Sequence, residues 1–120
     1  MNQYRNFKAD YDKENDSLFL YDPRRNANAA IELGPLVIDF TSKKNVACIE
    51  ILNASQFLTQ ATSTSLSKEF LTQLTKTQVR INKQADFFFI HLLLISNKEE
   101  HQAALSLPDI TQPSPALATT

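Results

Sequence analysis

Apolar and polar residues alternate along the first half of this chain, then give way at residues 87–95 to FFFIHLLLI, apolar except for one histidine. Alternation with a period of two is the mark of a strand that buries one face. In FKADYDKENDSLFLYD it holds on both sides of a polar turn. With Asp12 to Asn15 as a four-residue loop, Phe7, Ala9, Tyr11, Leu18 and Leu20 share one face, and Lys8, Asp10, Ser17, Phe19 and Tyr21 the other. Pro23 ends the second strand, because it has no N–H to give a ladder, and RRNANAA reads as a loop. PLVIDF and VACIEIL repeat the arrangement around a loop from Ser42 to Asn45. Leu36, Ile38, Phe40, Ala47, Ile49 and Ile51 then face one way, and Val37, Asp39, Val46, Cys48, Glu50 and Leu52 the other. Two hairpins in one four-strand antiparallel sheet over residues 7–52 is the expectation, with Ile49 in its core.

The period then changes. Asn53 followed three residues later by Gln56 has the spacing of a capping box, and ASQFLTQ predicts a short helix held down by Phe57, Leu58 and Ala61. A second helix is expected in SLSKEFLTQLTK, where Leu66, Phe70, Leu71 and Leu74 follow helical spacing and Ser65 is available as its cap. TQVRIN, the apolar run and HQAALSL return to alternation and predict a three-strand antiparallel meander. The expected organisation is therefore one α+β domain over residues 1–110. It comprises a ββββα half at 7–58 and an αβββ half at 65–108, followed by a disordered, proline-rich tail at 111–120.

As a strand, FFFIHLLLI sends Phe87, Phe89, His91, Leu93 and Ile95 to one face and Phe88, Ile90, Leu92 and Leu94 to the other. Both faces are large and apolar, so both need cover, and nine residues are too few to cross a membrane as a helix. The rest of one chain can cover one face. A second copy is the expected lid for the other, through Phe87, Phe89, His91, Leu93 and Ile95, in a homodimer or higher even oligomer; the alternative is that the first-half sheet packs across that face and closes a monomeric sandwich or barrel.

Composition narrows the function. With 42% hydrophobic and 21% charged residues and a net charge of -1, the chain has the make-up of a globular protein without a global pull toward nucleic acid or anionic lipid. Its single cysteine, Cys48, excludes an internal disulfide and multi-cysteine metal sites and fits a reducing, cytoplasmic setting. One glycine, Gly34, leaves no Gly-rich phosphate loop. No cofactor is expected.

The first half is similar to a family of small prokaryotic proteins, domain-of-unknown-function family 2283. The resemblance rests on Tyr11, Asp12, Asp16, Ser17 and Leu18 in YDKENDSL, on Val37, Ile38 and Asp39 in VID, and on Ile49, Glu50, Ile51, Leu52, Ala54 and Ser55 in IEILNAS. It covers about residues 7–58. The family commonly has glycine where this chain has Asn45 and Cys48, and Asn45 is expected to take over the left-handed turn position. The resemblance implies a fold, and some members resemble the antitoxin partner of toxin and antitoxin pairs.

Four carboxylates, Asp12, Asp16, Asp39 and Glu50, are the most enzyme-like residues. Asp39 and Glu50 are expected about one diagonal step apart on one sheet face, where a pair could hold a cation or divide acid and base roles. Turn and surface positions account for all four more simply. Arg24 and Arg25 with Lys43 and Lys44 make a weak basic patch without interleaved aromatics. The expected function is therefore non-enzymatic association, with itself and with a protein partner of antitoxin or regulatory type. A metal-dependent or hydrolytic enzyme using Asp39 and Glu50 is the alternative, and a nucleic-acid-binding regulator the second. No membrane partner is expected.

Overall fold

The computed structural model describes residues 3–62, 64–84 and 86–108; the tail expected at 111–120 lies outside them. In chain order the elements are β1 (Arg5–Asp12), β2 (Ser17–Tyr21), β3 (Ala29–Leu33), β4 (Leu36–Phe40) and β5 (Val46–Ile51), then α1 (Ala54–Thr62) and α2 (Lys68–Thr72), then β6 (Leu74–Gln84), β7 (Phe87–Ser96) and β8 (Glu100–Pro108). All strand pairs are antiparallel, in the order β3-β4-β5-β2-β1-β6-β7-β8.

The α+β class is as expected, with corrections to the layout. The first half carries five strands rather than four, because β3 occupies the end of the expected loop. Ile31 and Leu33 alternate there, and Gly34 at φ 57 makes the two-residue turn that pairs Leu33 with Leu36. The first hairpin turns at Lys13 to Asp16, so Tyr11 pairs with Leu18 instead of facing Asp16. A shift of two residues preserves parity, so the expected faces stand, although the small Ala9 is left exposed. In the second hairpin a bulge beside Phe40 pairs that residue with Val46, which carries Val46 from its expected outer position into the core cluster. The left-handed residue of this turn is Lys44, at φ 68, not Asn45.

The meander is not a separate sheet. β1 pairs with β2 through Lys8 to Asp12 and with β6 through Arg5 to Phe7, so one strand joins the two halves into a single sheet. The Thr77 hydroxyl donates to the Phe7 carbonyl at this junction. Four strands separate β4 from β7, which would put them roughly 24 Å apart in a flat sheet. Yet the Phe40 and Phe88 ring centres are 6.2 Å apart. The sheet therefore curls onto itself, and its inner face closes over one core that includes Leu20, Ile38, Ile49, Leu58, Leu71, Ile90, Leu92 and Leu94.

Both helices fall where the period changed, but neither is capped as expected. Asn53 is left-handed at φ 51, so it cannot act as an extended N-cap, and the first amides of α1 turn instead to Asp16 in the first hairpin. The cap of α2 is Ser67, whose hydroxyl accepts from the Phe70 amide, rather than Ser65. Leu74 has left that helix and starts β6. α1 packs against β8 at one end of the curled sheet, with Leu58 fully buried. Among the described residues no helix is long and apolar enough to cross a membrane.

Candidate functional site

Asp16 gathers the residues that carried the family resemblance. The hairpin turn puts it at φ 51, a conformation that Asp tolerates, with its carboxylate turned inward and almost fully buried. The Tyr11 hydroxyl donates to Oδ1 at 2.6 Å, the Ser55 hydroxyl to Oδ2 at 2.7 Å and the Ser55 amide to Oδ1 at 3.1 Å. The Asp16 carbonyl accepts from the Ala54 amide at 2.9 Å. Burial, the largest single influence, acts to raise the pKa of Asp16. The hydrogen bonds from Tyr11 and Ser55 and the charge of Lys68 outweigh it and hold the carboxyl below the usual range. Burial and the same carboxylate push the Tyr11 phenol up. This is a latch: it ties the β1–β2 turn to the start of α1 across 39 residues of sequence.

The other motif residues support the latch. Asp12 accepts from the Asn15 amide and side chain within its own turn. Leu18 and Ile51 pair across β2 and β5, both without exposed surface. Glu50 accepts from the Ser17 hydroxyl at 3.3 Å.

Asp39 and Glu50 do share the outer face, on adjacent strands and one diagonal step apart, since Asp39 pairs with Cys48 and Val37 with Glu50. Between them Cys48 is buried, and its thiol is pushed up to about 12, first by burial and then by the Asp39 and Glu50 charges. Among the described residues no three ligand-type side chains come together to hold a metal ion.

The basic residues assemble differently from the expected patch. Arg24 and Arg25 turn to Asp22, where Arg5 joins them, while Lys43 and Lys44 stay exposed in the β4–β5 loop. Arg25 also donates to the Val46 carbonyl at 2.9 Å. The hydrogen bonds from Arg24, against the opposing effect of burial, hold the Asp22 carboxyl below the usual range. Nothing in the sequence pattern of β2 separates Asp22 from a turn aspartate, so pattern reading overlooked this cluster.

The five expected interface residues line up on the outer face of β7. Phe87 is 47% exposed, and Phe89, His91, Leu93 and Ile95 are each partly buried, whereas Phe88, Ile90, Leu92 and Leu94 on the other face are buried by the chain itself. Rows that are polar but for Ala104 flank the ridge: Lys76, Gln78, Arg80 and Asn82 on β6, and Glu100, Gln102, Ala104 and Ser106 on β8. His101 is elsewhere, beside Glu99 at 2.9 Å and edge-on to Phe70.

Curled antiparallel strands, two short helices and a latch built from a shared motif define a small α+β protein recognised by its scaffold rather than by a reactive group. The chain belongs to the family described as protein of unknown function DUF2283, whose sequence profile matches residues 8–55, the segment that ends at the latch. It is 31% identical over 97 residues to the uncharacterized protein MJ0789 of Methanocaldococcus jannaschii, covering 78% of each chain. It is 30% identical over 91 residues to a Methanosarcina mazei protein named "Putative hypoxanthine phosphoribosyltransferase", covering 76% of this chain and 69% of that one. No solved structure matches it significantly.

Proposed function

We propose that this protein works by association, in a cytoplasmic setting, and that its first partner is a second copy of itself docked on the outer face of β7. The observation that carries the reading is the ridge of Phe87, Phe89, Leu93 and Ile95 with His91 at its centre, one strand wide and continuous, between two polar rows. A two-fold axis along β7 lays β6 of one copy over β8 of the other at the same level. Strand register then sets Lys76 opposite Glu100, Gln78 opposite Gln102 and Asn82 opposite Ser106, each twice. The ridge supplies the apolar centre and these pairs the rim, the usual division in a two-fold interface. Regulation of a further protein partner through the dimer is the same reading extended.

Phosphoribosyl transfer, in the name of the Methanosarcina relative, is not carried over to this chain. The carboxylate pair Asp39 and Glu50 lies on the outer face, whereas Asp22 and its arginines gather just past the C-terminal end of β2.

Sedimentation equilibrium at low micromolar concentration tests the reading. The expected result is twice the 13.6 kDa chain mass for the wild type and 13.6 kDa for a folded Leu93→Lys variant. Lys76→Glu and Glu100→Lys should each weaken the dimer, and the two together restore it. A folded wild type at 13.6 kDa, or a Leu93→Lys variant of unchanged mass, would overturn the proposal.

A further inference from the structure

β2 runs out at Asp22, whose side chain has no exposed surface. A buried carboxylate needs a partner, and the bidentate fork of one arginine suffices. Arg24 supplies that fork, with Nε 3.0 Å from Oδ1 and Nη2 3.1 Å from Oδ2. Two further guanidiniums then gather at the same carboxylate: Arg25, with Nε 3.7 Å from Oδ2, and Arg5, with Nη1 4.0 Å from it. Three positive charges against one negative leave two uncompensated, and no other carboxylate pairs with these arginines among the described residues. Arg5 is the most loosely engaged, and half of its side chain is exposed.

Beside this excess of charge opens a polar cleft of about 380 Å³, lined by Gln3, Tyr4, Arg5, Asn6 and Arg24. Part of its lining is already held in place. Arg24 is fixed through Nε and Nη2, which leaves Nη1 for another acceptor. The Asn6 side-chain oxygen accepts from Gln78 at 2.9 Å, so its amide N–H groups remain free to donate. The Tyr4 ring is held under the Arg80 guanidinium at 4.7 Å.

We propose that this cleft binds the phosphate group of a small phosphate monoester, a dianion held by Arg5 and Arg24. The net charge of two on the cluster of Arg5, Arg24, Arg25 and Asp22 matches a dianion, and the guanidinium of Arg24, held in place on Asp22, suits its oxygens better than a mobile lysine would. Burial and the neighbouring Arg5 and Arg24 charges already pull the Arg25 guanidinium below its ordinary value, a repulsion that a bound dianion would relieve.

The probe is inorganic phosphate, followed by calorimetry and by amide and arginine Nε resonances at low salt and neutral pH. Saturable submillimolar binding is expected, with shifts concentrated at Tyr4, Arg5, Asn6 and Arg24. Arg5→Gln should weaken it by about tenfold or more, the worth of one charge-assisted hydrogen bond, while leaving the fold intact because Arg24 still pairs with Asp22. Lys43→Gln, a charge removed elsewhere, should leave it unchanged. Lack of saturation in the millimolar range, an unaffected Arg5→Gln variant, or equal loss in Lys43→Gln would overturn the proposal. So would a single-stranded RNA oligomer that binds more tightly than phosphate through the same arginines.

Discussion

Truncating Asp16 to alanine removes the acceptor of three hydrogen bonds, two from Ser55 and one from Tyr11, all to an ionised carboxylate. Such bonds contribute about 1.5–3 kcal/mol each, but Tyr11 is only half-buried and regains water, so the sum falls to about 3 kcal/mol. Alanine at φ 51 costs about 1 kcal/mol more. A loss of about 4 kcal/mol is a large part of the roughly 5–15 kcal/mol that holds a domain together. Urea unfolding at fixed protein concentration reads it as a fall of about 2 M in midpoint at unchanged slope. Asp16→Asn, which keeps the left-handed turn and one oxygen, should lose about half as much, and Asp16→Gly should recover only the backbone part of the alanine loss. The carboxyls of Asp16 and Asp22 both lie below their ordinary value when folded, so their contribution is full above the unfolded value near about 3.9 and is lost as pH falls through the folded values. Thermal stability should therefore drop below about pH 4, and less steeply in Asp16→Asn. An Asp16→Ala variant within about 1 kcal/mol of wild type would refute the latch as a source of stability.

The core and the thiol offer two further tests. Ile49 has no exposed surface and sits between Leu20 and Ile38, so Ile49→Asp places an unpaired charge in the core and should yield no folded protein, whereas Ile49→Val should cost only about 1 kcal/mol; a soluble aspartate variant with wild-type melting would disprove the face assignment. Cys48 is buried with its thiol pushed up to about 12, so thiol reagents at neutral pH should label it only in denaturant, and fast labelling of the native protein would contradict that burial.

Much of the secondary structure was legible because periodicity is a local property that tolerates mistakes. The first hairpin turns one residue later than its polar stretch suggested, yet Leu18 and Leu20 stay in the core, since the pairing moved by an even number of residues. The helices announced themselves through Leu58, Phe70 and Leu71 at helical spacing, and the ridge of β7 through unbroken apolarity. β3 was missed because AAIEL holds few residues that favour strands; its pairing with β4 and the Gly34 turn make it one.

What the tertiary structure alone decided lies wherever the partner is far away in sequence. Sequence spacing points to Asn53, next to the helix, as the cap of α1, and the structure uses Asp16, because only the pairing of β2 with β5 brings that turn to the helix end. A basic patch was sought between Arg24, Arg25 and the lysines of the next turn. The arginines instead meet Arg5 at Asp22, because β1 and β2 carry their ends together. The hydrophobic pattern states which side of each strand must leave water, and that requirement is met by many arrangements of strands. Choosing among them takes the curl that runs through β1 from one half of the sheet to the other and sets Phe40 against Phe88, an outcome of packing the whole chain around one core.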